Sequence, residues 1–263
     1  MNILSKIVSK RKEETNLQKK IRGLDEIKSS ESFHRQTYSL SKKIKENEIS
    51  IIAEHKRKSP SKKEINFQTP SHKIIKGYEK NGASGISVLT EKNFFSGSEN
   101  DLILARKLTD LPILRKDFIV DEYQVFESKY LGADAILLIA TCLTDKEIIK
   151  LSELAKELDL DVLVEIHSKD ELNKVCIDSV DIIGVNNRNL KDFSVNVENS
   201  IEIGKEIPES FVKISESGLY KFEELKRLID FGYDGFLIGE LFMKDNNPGK
   251  RLGKLINEIS YES

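Results

Sequence analysis

Short aliphatic runs recur along most of the chain and alternate with longer segments of mixed polarity. From Ile51 onward there are eight such runs, which begin about 20 to 35 residues apart. They cover residues 51–53, 86–89, 113–114, 135–139, 162–164, 182–185, 212–214 and 236–238. Continuous aliphatic runs are typical of parallel strands that are buried on both faces of a sheet. The pattern therefore predicts eight buried strands.

The segments between the runs have the spacing of amphipathic helices. In residues 144–158, apolar residues recur every three or four positions, and Thr144 or Asp145 is a suitable N-cap. Similar stripes lie in residues 123–130 and 222–229. One strand and one helix per repeat indicate an α/β fold, either a (β/α)8 TIM barrel or a doubly wound open sheet.

The first 48 residues are rich in Lys, Glu, Ser and Gln, and their apolar residues also have helical spacing. Those residues are Leu4, Ile7, Val8, Leu17, Ile21, Leu24 and Ile27. A disordered charged tail is one interpretation, but the periodicity favours helices that dock on the following domain. We therefore expect residues 1–48 to form a helical extension on a barrel domain of residues 49–263, the whole being one domain.

Polar residues end the aliphatic runs throughout the repeat, and this decides between the two α/β folds. They lie in residues 54–56, 90–91, 115–117, 165, 186–188, 215–218 and 239–240. An open sheet binds its ligand at one switch point, whereas a closed barrel brings all its strand ends to one mouth. The distribution favours the (β/α)8 barrel.

Four charged residues at these strand ends are candidates for acid–base chemistry. Side chains alternate along a strand, so Glu54 and Lys56 project from one face while His55 projects from the other, toward the helices. Alternate strands of a barrel share a layer, which lets Lys116 and Glu165 point at the same centre. Burial and mutual fields would shift their pKa values toward those useful for proton transfer. A purely structural ion-pair network is the alternative interpretation.

Two glycine-containing strand ends suggest phosphate binding. Ser217-Gly218 and Gly239-Glu240 follow the last two runs, where backbone N–H groups can approach an anion. Arg188 could add a bidentate contact to phosphate or carboxylate. Glycine is also the ordinary turn residue, so each glycine alone indicates little.

The basic run at residues 57–63 also allows a nucleic-acid-binding interpretation. The whole chain has a net charge of −2 and a pI near 6.2, which does not support nucleic acid or an anionic membrane as the main partner. No apolar stretch approaches the roughly 18 residues that a membrane helix requires. We expect a cytoplasmic protein with no nucleic-acid or membrane partner, in which Lys58, Lys62 and Lys63 are solvated loop residues.

The histidines show no metal-ligand spacing, and motifs for serine hydrolases, zinc proteases and nucleotide loops do not occur in the sequence. We expect no metal and no cofactor.

With these residues in place, the chain resembles the indole-3-glycerol-phosphate synthase family of tryptophan biosynthesis over nearly all of residues 33–243. The likeness is carried by IAEHKRKSPS at 52–61, SVLTE at 87–91 with FSGS at 95–98, LRKDFI at 114–119, GAD at 132–134, VEIH at 164–167, GVNNRNL at 184–190, SESG at 215–218 and IGE at 238–240. The resemblance implies a (β/α)8 barrel with an added N-terminal helical segment. It implies a carbon–carbon lyase that closes an indole ring with loss of carbon dioxide and water.

The resemblance also implies catalytic roles. Lys116 would protonate the ribulose carbonyl during ring closure, Glu165 would be the base in dehydration, and Lys56 would pair with the substrate carboxylate. The family positions that orient the substrate and the lysines are Glu54, Asn186 and Ser217.

The remaining family positions concern binding of a small phosphorylated substrate by what we expect to be a monomer. The phosphate contacts implied are Arg188, Gly218, Gly239 and the backbone of Glu240, whose carboxylate would repel phosphate. The other substrate contacts implied are Ser59, Pro60, Phe95, Phe118, Leu137 and Leu190, all but the first around the anthranilate ring. Another phosphate-binding barrel enzyme, either an isomerase or an aldolase that forms a Schiff base on Lys116, is the alternative.

Overall fold

The computed structural model describes residues 3–47, 49–189 and 192–262, with only the backbone for 260–262. In this part of the chain, eight parallel strands pair in sequence order, and the last pairs with the first to close a barrel. The strands are β1 (Ser50–His55), β2 (Gly85–Leu89), β3 (Ile113–Lys116), β4 (Ala135–Ile139), β5 (Asp161–Ile166), β6 (Ile182–Asn186), β7 (Val212–Glu216) and β8 (Gly235–Ile238). Every predicted run lies in a strand, and closure confirms the barrel over the open sheet.

In the described part of the chain, three α-helices precede the first strand, and the others follow the strands and form the outer layer. The helices are α1 (Ile3–Ile21), α2 (Leu24–Ser29), α3 (Leu40–Lys45), α4 (Ser71–Lys80), α5 (Glu99–Leu108), α6 (Glu122–Leu131), α7 (Asp145–Glu157), α8 (Leu172–Val175), α9 (Glu198–Gly204), α10 (Phe222–Asp230), α11 (Glu240–Met243) and α12 (Pro248–Glu262). Short 3-10 helices cover Glu31–His34, Ala140–Cys142 and Lys169–Glu171.

The predicted helical stripes at 123–130, 144–158 and 222–229 correspond to α6, α7 and α10, and Thr144 is the N-cap of α7. Its hydroxyl accepts from the backbone of Glu147 at 3.3 Å, while the Glu147 carboxylate accepts from the backbone of Thr144 at 2.8 Å. This reciprocal capping box satisfies two backbone donors at the helix start. The sequence therefore identified both the helix and its first turn.

The N-terminal helices pack against the barrel at both of its ends. Leu40 and Ile44 of α3 are fully buried beside Ile182 and Val212, the first residues of β6 and β7. Helix α3 therefore covers the end of the barrel at which the strands begin. Ile7 of α1 belongs to the same apolar cluster as residues at the mouth. Residues of both helices therefore share one apolar cluster with residues of the barrel.

The apolar stripe of the N-terminal segment is not buried along its whole length. Leu17 and Ile21 are 59% and 73% exposed, at the end of α1 that leads away from the mouth. The helical spacing of apolar residues predicted α1 correctly. It did not show that the apolar residues in the second half of α1, Leu17 and Ile21, remain exposed.

Two apolar layers hold the strands in place. One lies between the strands and the outer helices, and the other fills the barrel interior and its two ends. Inward and outward residues alternate along each strand. Among the described residues, no helix is long and apolar enough to cross a membrane.

Candidate active site

The carboxyl ends of the strands surround a cavity at the barrel mouth. The predicted residues that line it are Glu54, Lys56, Ser59, Pro60, Phe95, Lys116, Phe118, Leu137, Glu165, Asn186, Arg188, Ser217, Gly218, Gly239 and Glu240. Leu190, the remaining predicted residue, lies outside the described residues. The closed barrel thus brings together residues that are far apart in sequence, as strand-end polarity predicted.

Lys116 ends β3, and its ammonium lies between two buried carboxylates. Nζ is 2.9 Å from Oε2 of Glu165 and 2.7 Å from Oε2 of Glu216. Burial acts to lower the pKa of Lys116, but the carboxylates of Glu165, Glu216 and Glu54 raise that pKa above its ordinary value. Lys116 is therefore protonated at neutral pH and can donate a hydrogen bond or a proton.

Glu216, at the end of β7, belongs to this cluster although the sequence analysis gave it no role. Its side chain is buried, and burial together with the nearby carboxylates of Glu165 and Glu54 raises its pKa to about 7, against the lowering effect of Lys116. Strand alternation could have identified it. Val212 and Ile214 face the barrel interior, so Glu216, two residues further along the strand, faces it as well.

A glycine on the neighbouring strand makes room for Glu216. A Cβ atom on Gly184 of β6 would lie 2.5 Å from Oε1 of Glu216. Any larger residue at this position would therefore displace the carboxylate and loosen its contact with Lys116. The spacing between β6 and β7 thus fixes one wall of the charged cluster.

Glu165, near the end of β5, contacts Lys116 with one oxygen and approaches His167 with the other. The Nε2 atom of His167 is 3.4 Å from Oε1. Burial acts to raise the pKa of Glu165, but Lys116 lowers it to about 2, with smaller contributions from a hydrogen bond of Asn186 and from the charge that His167 carries when its ring is protonated. The carboxylate is therefore ionised at neutral pH, as a base must be.

Glu54 and Lys56 form an ion pair at the end of β1. The side chain of Glu54 is 4% exposed and that of Lys56 is 18% exposed, so the amine is the more accessible member of the pair. A Cβ atom on Gly239 would lie 2.5 Å from Oε1 of Glu54, so this glycine is required where β8 ends beside β1. The prediction that Glu54 and Lys56 project from one face is confirmed, and His55 faces the helices.

An apolar wall faces the charged cluster. The rings of Phe95 and Phe118 have centroids 6.1 Å apart at an interplanar angle of 42°, and Pro60 and Leu137 line the same cavity. The cavity is also lined by apolar residues that the sequence analysis did not assign to the site, namely Ile3, Leu4, Ile7, Leu89, Ile139, Phe193, Leu219 and Leu237. A flat aromatic group fits against such a surface.

The opposite rim carries a cluster of cations around Glu240. Its carboxylate pairs with Lys62, lies 2.7 Å from Nζ of Lys244 and lies 3.9 Å from Nη2 of Arg188. Burial acts to raise the pKa of Glu240, but Lys244 and Lys62 lower it to about 2. The expectation that Lys62 is simply solvated is wrong, because its long side chain crosses from the β1–α4 loop to reach α11.

The backbone beside this cluster has an uncommon conformation. Ser217 and Gly218 have φ angles of 69° and 75°, in the left-handed region. A side chain at Gly218 would collide with Val195, so a glycine is required at this position. The turn places Ser217 and Gly218 on the cavity wall next to Gly239.

Behind Lys116, a buried ion network fixes the end of β3. Asp117 accepts hydrogen bonds from Thr90 and, at 2.9 Å, from Arg11 of α1. Arg115 is fully buried and donates to Glu127 at 2.8 Å. These partners hold the residues on both sides of Lys116, so the lysine backbone has little freedom to move.

Comparisons with known proteins agree on one family. The family model described as indole-3-glycerol phosphate synthase matches residues 4–255. An indole-3-glycerol phosphate synthase of Bacteroides thetaiotaomicron is 42% identical over 258 residues, which cover 98% of this chain and 99% of that protein. An indole-3-glycerol phosphate synthase of Campylobacter jejuni is 44% identical over 258 residues, covering 97% of this chain and 100% of the relative.

A solved structure gives a more distant likeness. Thiamine phosphate pyrophosphorylase from Pyrococcus furiosus superposes with a TM-score of 0.61 at 16% sequence identity, covering 82% of this chain and 97% of that chain. At this identity the likeness shows the barrel fold alone.

Proposed function

The chain belongs to the indole-3-glycerol phosphate synthase family, and from this we propose how the residues at its barrel mouth divide the chemistry. The enzyme is a carbon–carbon lyase of tryptophan biosynthesis. It converts 1-(o-carboxyphenylamino)-1-deoxyribulose 5-phosphate to indole-3-glycerol phosphate and releases carbon dioxide and water. Ring closure, decarboxylation and dehydration each require a proton to be moved or a charge to be stabilised at a defined place.

Lys116 protonates the ribulose carbonyl oxygen as the ring carbon attacks it. The raised pKa of Lys116, caused by Glu165, Glu216 and Glu54, keeps the ammonium charged until negative charge develops on that oxygen. The lysine is buried and held by two carboxylates, so little reorganisation is needed when the reaction occurs. Its position between Glu165 and Glu216 is the single observation that carries the assignment.

Lys56 pairs with the substrate carboxylate that is lost as carbon dioxide. Its ion pair with Glu54 holds the amine at the end of β1 while leaving it accessible. The anthranilate ring lies against Phe95, Phe118 and the other apolar residues of the wall. This placement directs the carboxylate toward Lys56 and the ribulose carbonyl toward Lys116.

Glu165 removes the proton during the later dehydration. Its low pKa, which Lys116 sustains, supplies the carboxylate form, and Asn186 helps to orient it. Ser217 lies near Glu216 at the end of β7 and completes the polar side of the cavity. General acid–base groups of this kind contribute roughly 10²–10⁴ each to the rate.

The phosphate lies at the rim formed by β6, β7 and β8. Arg188 supplies a guanidinium there, and the backbone of Gly218, Gly239 and Glu240 lines the same part of the cavity. The Glu240 carboxylate is already paired with Lys62 and Lys244, which reduces its repulsion of a phosphate group. Ser59 and Pro60 in the β1–α4 loop contact the substrate from the other side.

We also propose that the enzyme works in the cytoplasm as a monomer on this small phosphorylated substrate. Nucleic acid, membrane, metal and cofactor have no part in the proposal. The acid and base groups required come from side chains of the chain itself, and the net charge of −2 gives no general attraction to polyanions.

The direct test follows indole formation by fluorescence, because the chain contains no Trp. Wild-type protein incubated with the carboxyphenylamino ribulose phosphate should generate the product signal. Lys116→Ala should lower turnover by roughly 10²-fold or more, while Lys150→Ala, on the surface of α7 with 66% of its side chain exposed, should not change it. Wild-type turnover by Lys116→Ala would contradict the assignment. Trapping of substrate on Lys116 by borohydride would favour an aldolase instead.

A further inference from the structure

His167 lies one residue beyond the end of β5 and is not used in the proposed chemistry. Leu163, Glu165 and His167 occupy alternate positions, so the imidazole follows Glu165 on the same side of the strand. Its Nε2 atom lies 3.4 Å from Oε1 of Glu165, the oxygen that does not contact Lys116. The side chain is 14% exposed, so it connects the buried carboxylate with solvent.

The hydroxyl of Thr141 fixes which ring nitrogen of the neutral imidazole carries the proton. Thr141 donates to Oε1 of Glu171 at 2.7 Å. Since a hydroxyl has one proton, Thr141 can only accept from Nδ1 of His167, which is 3.4 Å away. The carboxylate of Glu171 also accepts from the backbone of His167 at 2.7 Å. Nδ1 is therefore protonated, and Nε2 presents a lone pair.

This tautomer explains why Nε2 is buried without a partner. Within the described residues, Nε2 of His167 makes no aligned hydrogen bond despite its closeness to Glu165. A lone pair facing an ionised carboxylate has no proton to share. Once Glu165 has taken up a proton, however, the same two atoms can form an O–H···N hydrogen bond.

We propose that Nε2 of His167 accepts the proton that Glu165 removes from the substrate during dehydration. The O–H bond at Oε1 of Glu165 breaks, an N–H bond forms at Nε2, and the carboxylate is restored. The resulting imidazolium then releases one proton to solvent, and no electrons are exchanged. This role rests on the proposed function of Glu165 as the base.

The charges around His167 favour this direction of transfer. At Oε2 of Glu165, Lys116 is an ammonium and cannot accept a proton, so the imidazole is the acceptor in reach. The imidazolium would lie between the restored Glu165 carboxylate and Glu171, which acts through Thr141. Cys142 lies near both carboxylates, but burial raises its pKa to about 12, so it stays a neutral thiol.

The test replaces His167 by a residue that keeps a polar contact but cannot carry the proton. We expect His167→Gln to lower kcat about ten- to a hundred-fold, with KM changed less than about two-fold, because the step affected follows substrate binding. Deuterium on the substrate carbon that loses its proton in dehydration should give a larger isotope effect in the variant. His72→Gln, an exposed histidine of α4, is the matched control and should behave as wild type.

Chemical rescue separates proton transfer from positioning. Free imidazole should restore at least about ten-fold of the lost kcat to His167→Ala, since it can occupy the vacated space and accept the proton. Wild-type kcat in His167→Gln, or a slow His167→Ala enzyme that imidazole does not rescue, would overturn the proposal. If wild-type protein formed no indole product, the proposed function would fail instead, so the two failures are distinguishable.

Discussion

At the scale of single residues, Glu216 shows how one carboxylate adjusts the site. It shares Lys116 with Glu165 and contributes to the field that raises the lysine pKa. We expect Glu216→Gln to lower kcat about ten- to a hundred-fold, because the acid would lose a partner that positions it. Steady-state indole fluorescence would measure this, with Glu202→Gln, an exposed residue of α9, as the control. An unchanged kcat would mean that Glu165 alone positions Lys116.

His55 predicts a dependence of stability on pH. Its side chain is buried, and burial, aided by Arg57 and opposed by Asp101 and Glu54, lowers its pKa from 6.5 to about 4. Between these values the unfolded chain binds a proton that the folded chain does not bind. The contribution of neutral His55 to the free energy of unfolding is therefore fully present above pH 6.5. It is lost as the pH falls toward 4, and the total loss is roughly 3 kcal/mol.

Substitution of this histidine checks the prediction. Urea unfolding of wild type and His55→Phe at several pH values should show a shallower loss of stability in the variant across that window. His72→Gln should retain the wild-type slope because that histidine is exposed. Parallel curves for wild type and His55→Phe would show that other groups cause the acid sensitivity.

At the scale of elements, α1 is connected to the catalytic strand by one buried ion pair. Arg11 donates to Asp117 at 2.9 Å, and Asp117 follows Lys116 directly. We expect Arg11→Met to lower the free energy of unfolding by about 3 kcal/mol, because it leaves a buried carboxylate without one of its partners. Since α1 also supplies Ile3, Leu4 and Ile7 to the cavity, kcat/KM should fall as well.

The measurements for Arg11→Met are urea unfolding and indole fluorescence on the same preparation. Lys12→Met is the matched control, since it makes the same change at an exposed position of α1. If both variants lost stability equally, helix propensity and not the ion pair would be the cause. If Arg11→Met lost stability but kept its kcat/KM, α1 would anchor the fold without affecting the site.

At the scale of the whole molecule, the sequence predicts topology better than it predicts long side-chain contacts. Aliphatic runs and strand-end polarity were sufficient for the barrel, since both are periodic and local. The sequence analysis gave Glu216 no role, although strand alternation places it on the interior face of the barrel. Its role depends on the contact between its carboxylate and Lys116, which lies on another strand. The ion pair of Lys62 with Glu240 could not be predicted from the sequence, since it joins residues 178 positions apart across the barrel mouth. Exposure of Leu17 likewise depends on where the barrel surface ends.

Because the proposed ligand contacts residues at the ends of β1, β3, β4, β5, β6, β7 and β8, its binding should stabilise the barrel as a unit. A substrate analogue whose carbonyl is reduced to an alcohol keeps the phosphate and the carboxylate but cannot react. At 100 times its Kd it should raise the free energy of unfolding by about 2.7 kcal/mol, because only the folded chain binds it. At that same analogue concentration, Arg188→Ala should lose most of this gain, whereas Lys250→Ala, an exposed residue of α12, should keep it. Equal stabilisation of the two variants would contradict phosphate binding by Arg188. It would indicate that Gly218, Gly239 and the cations around Glu240 bind the phosphate.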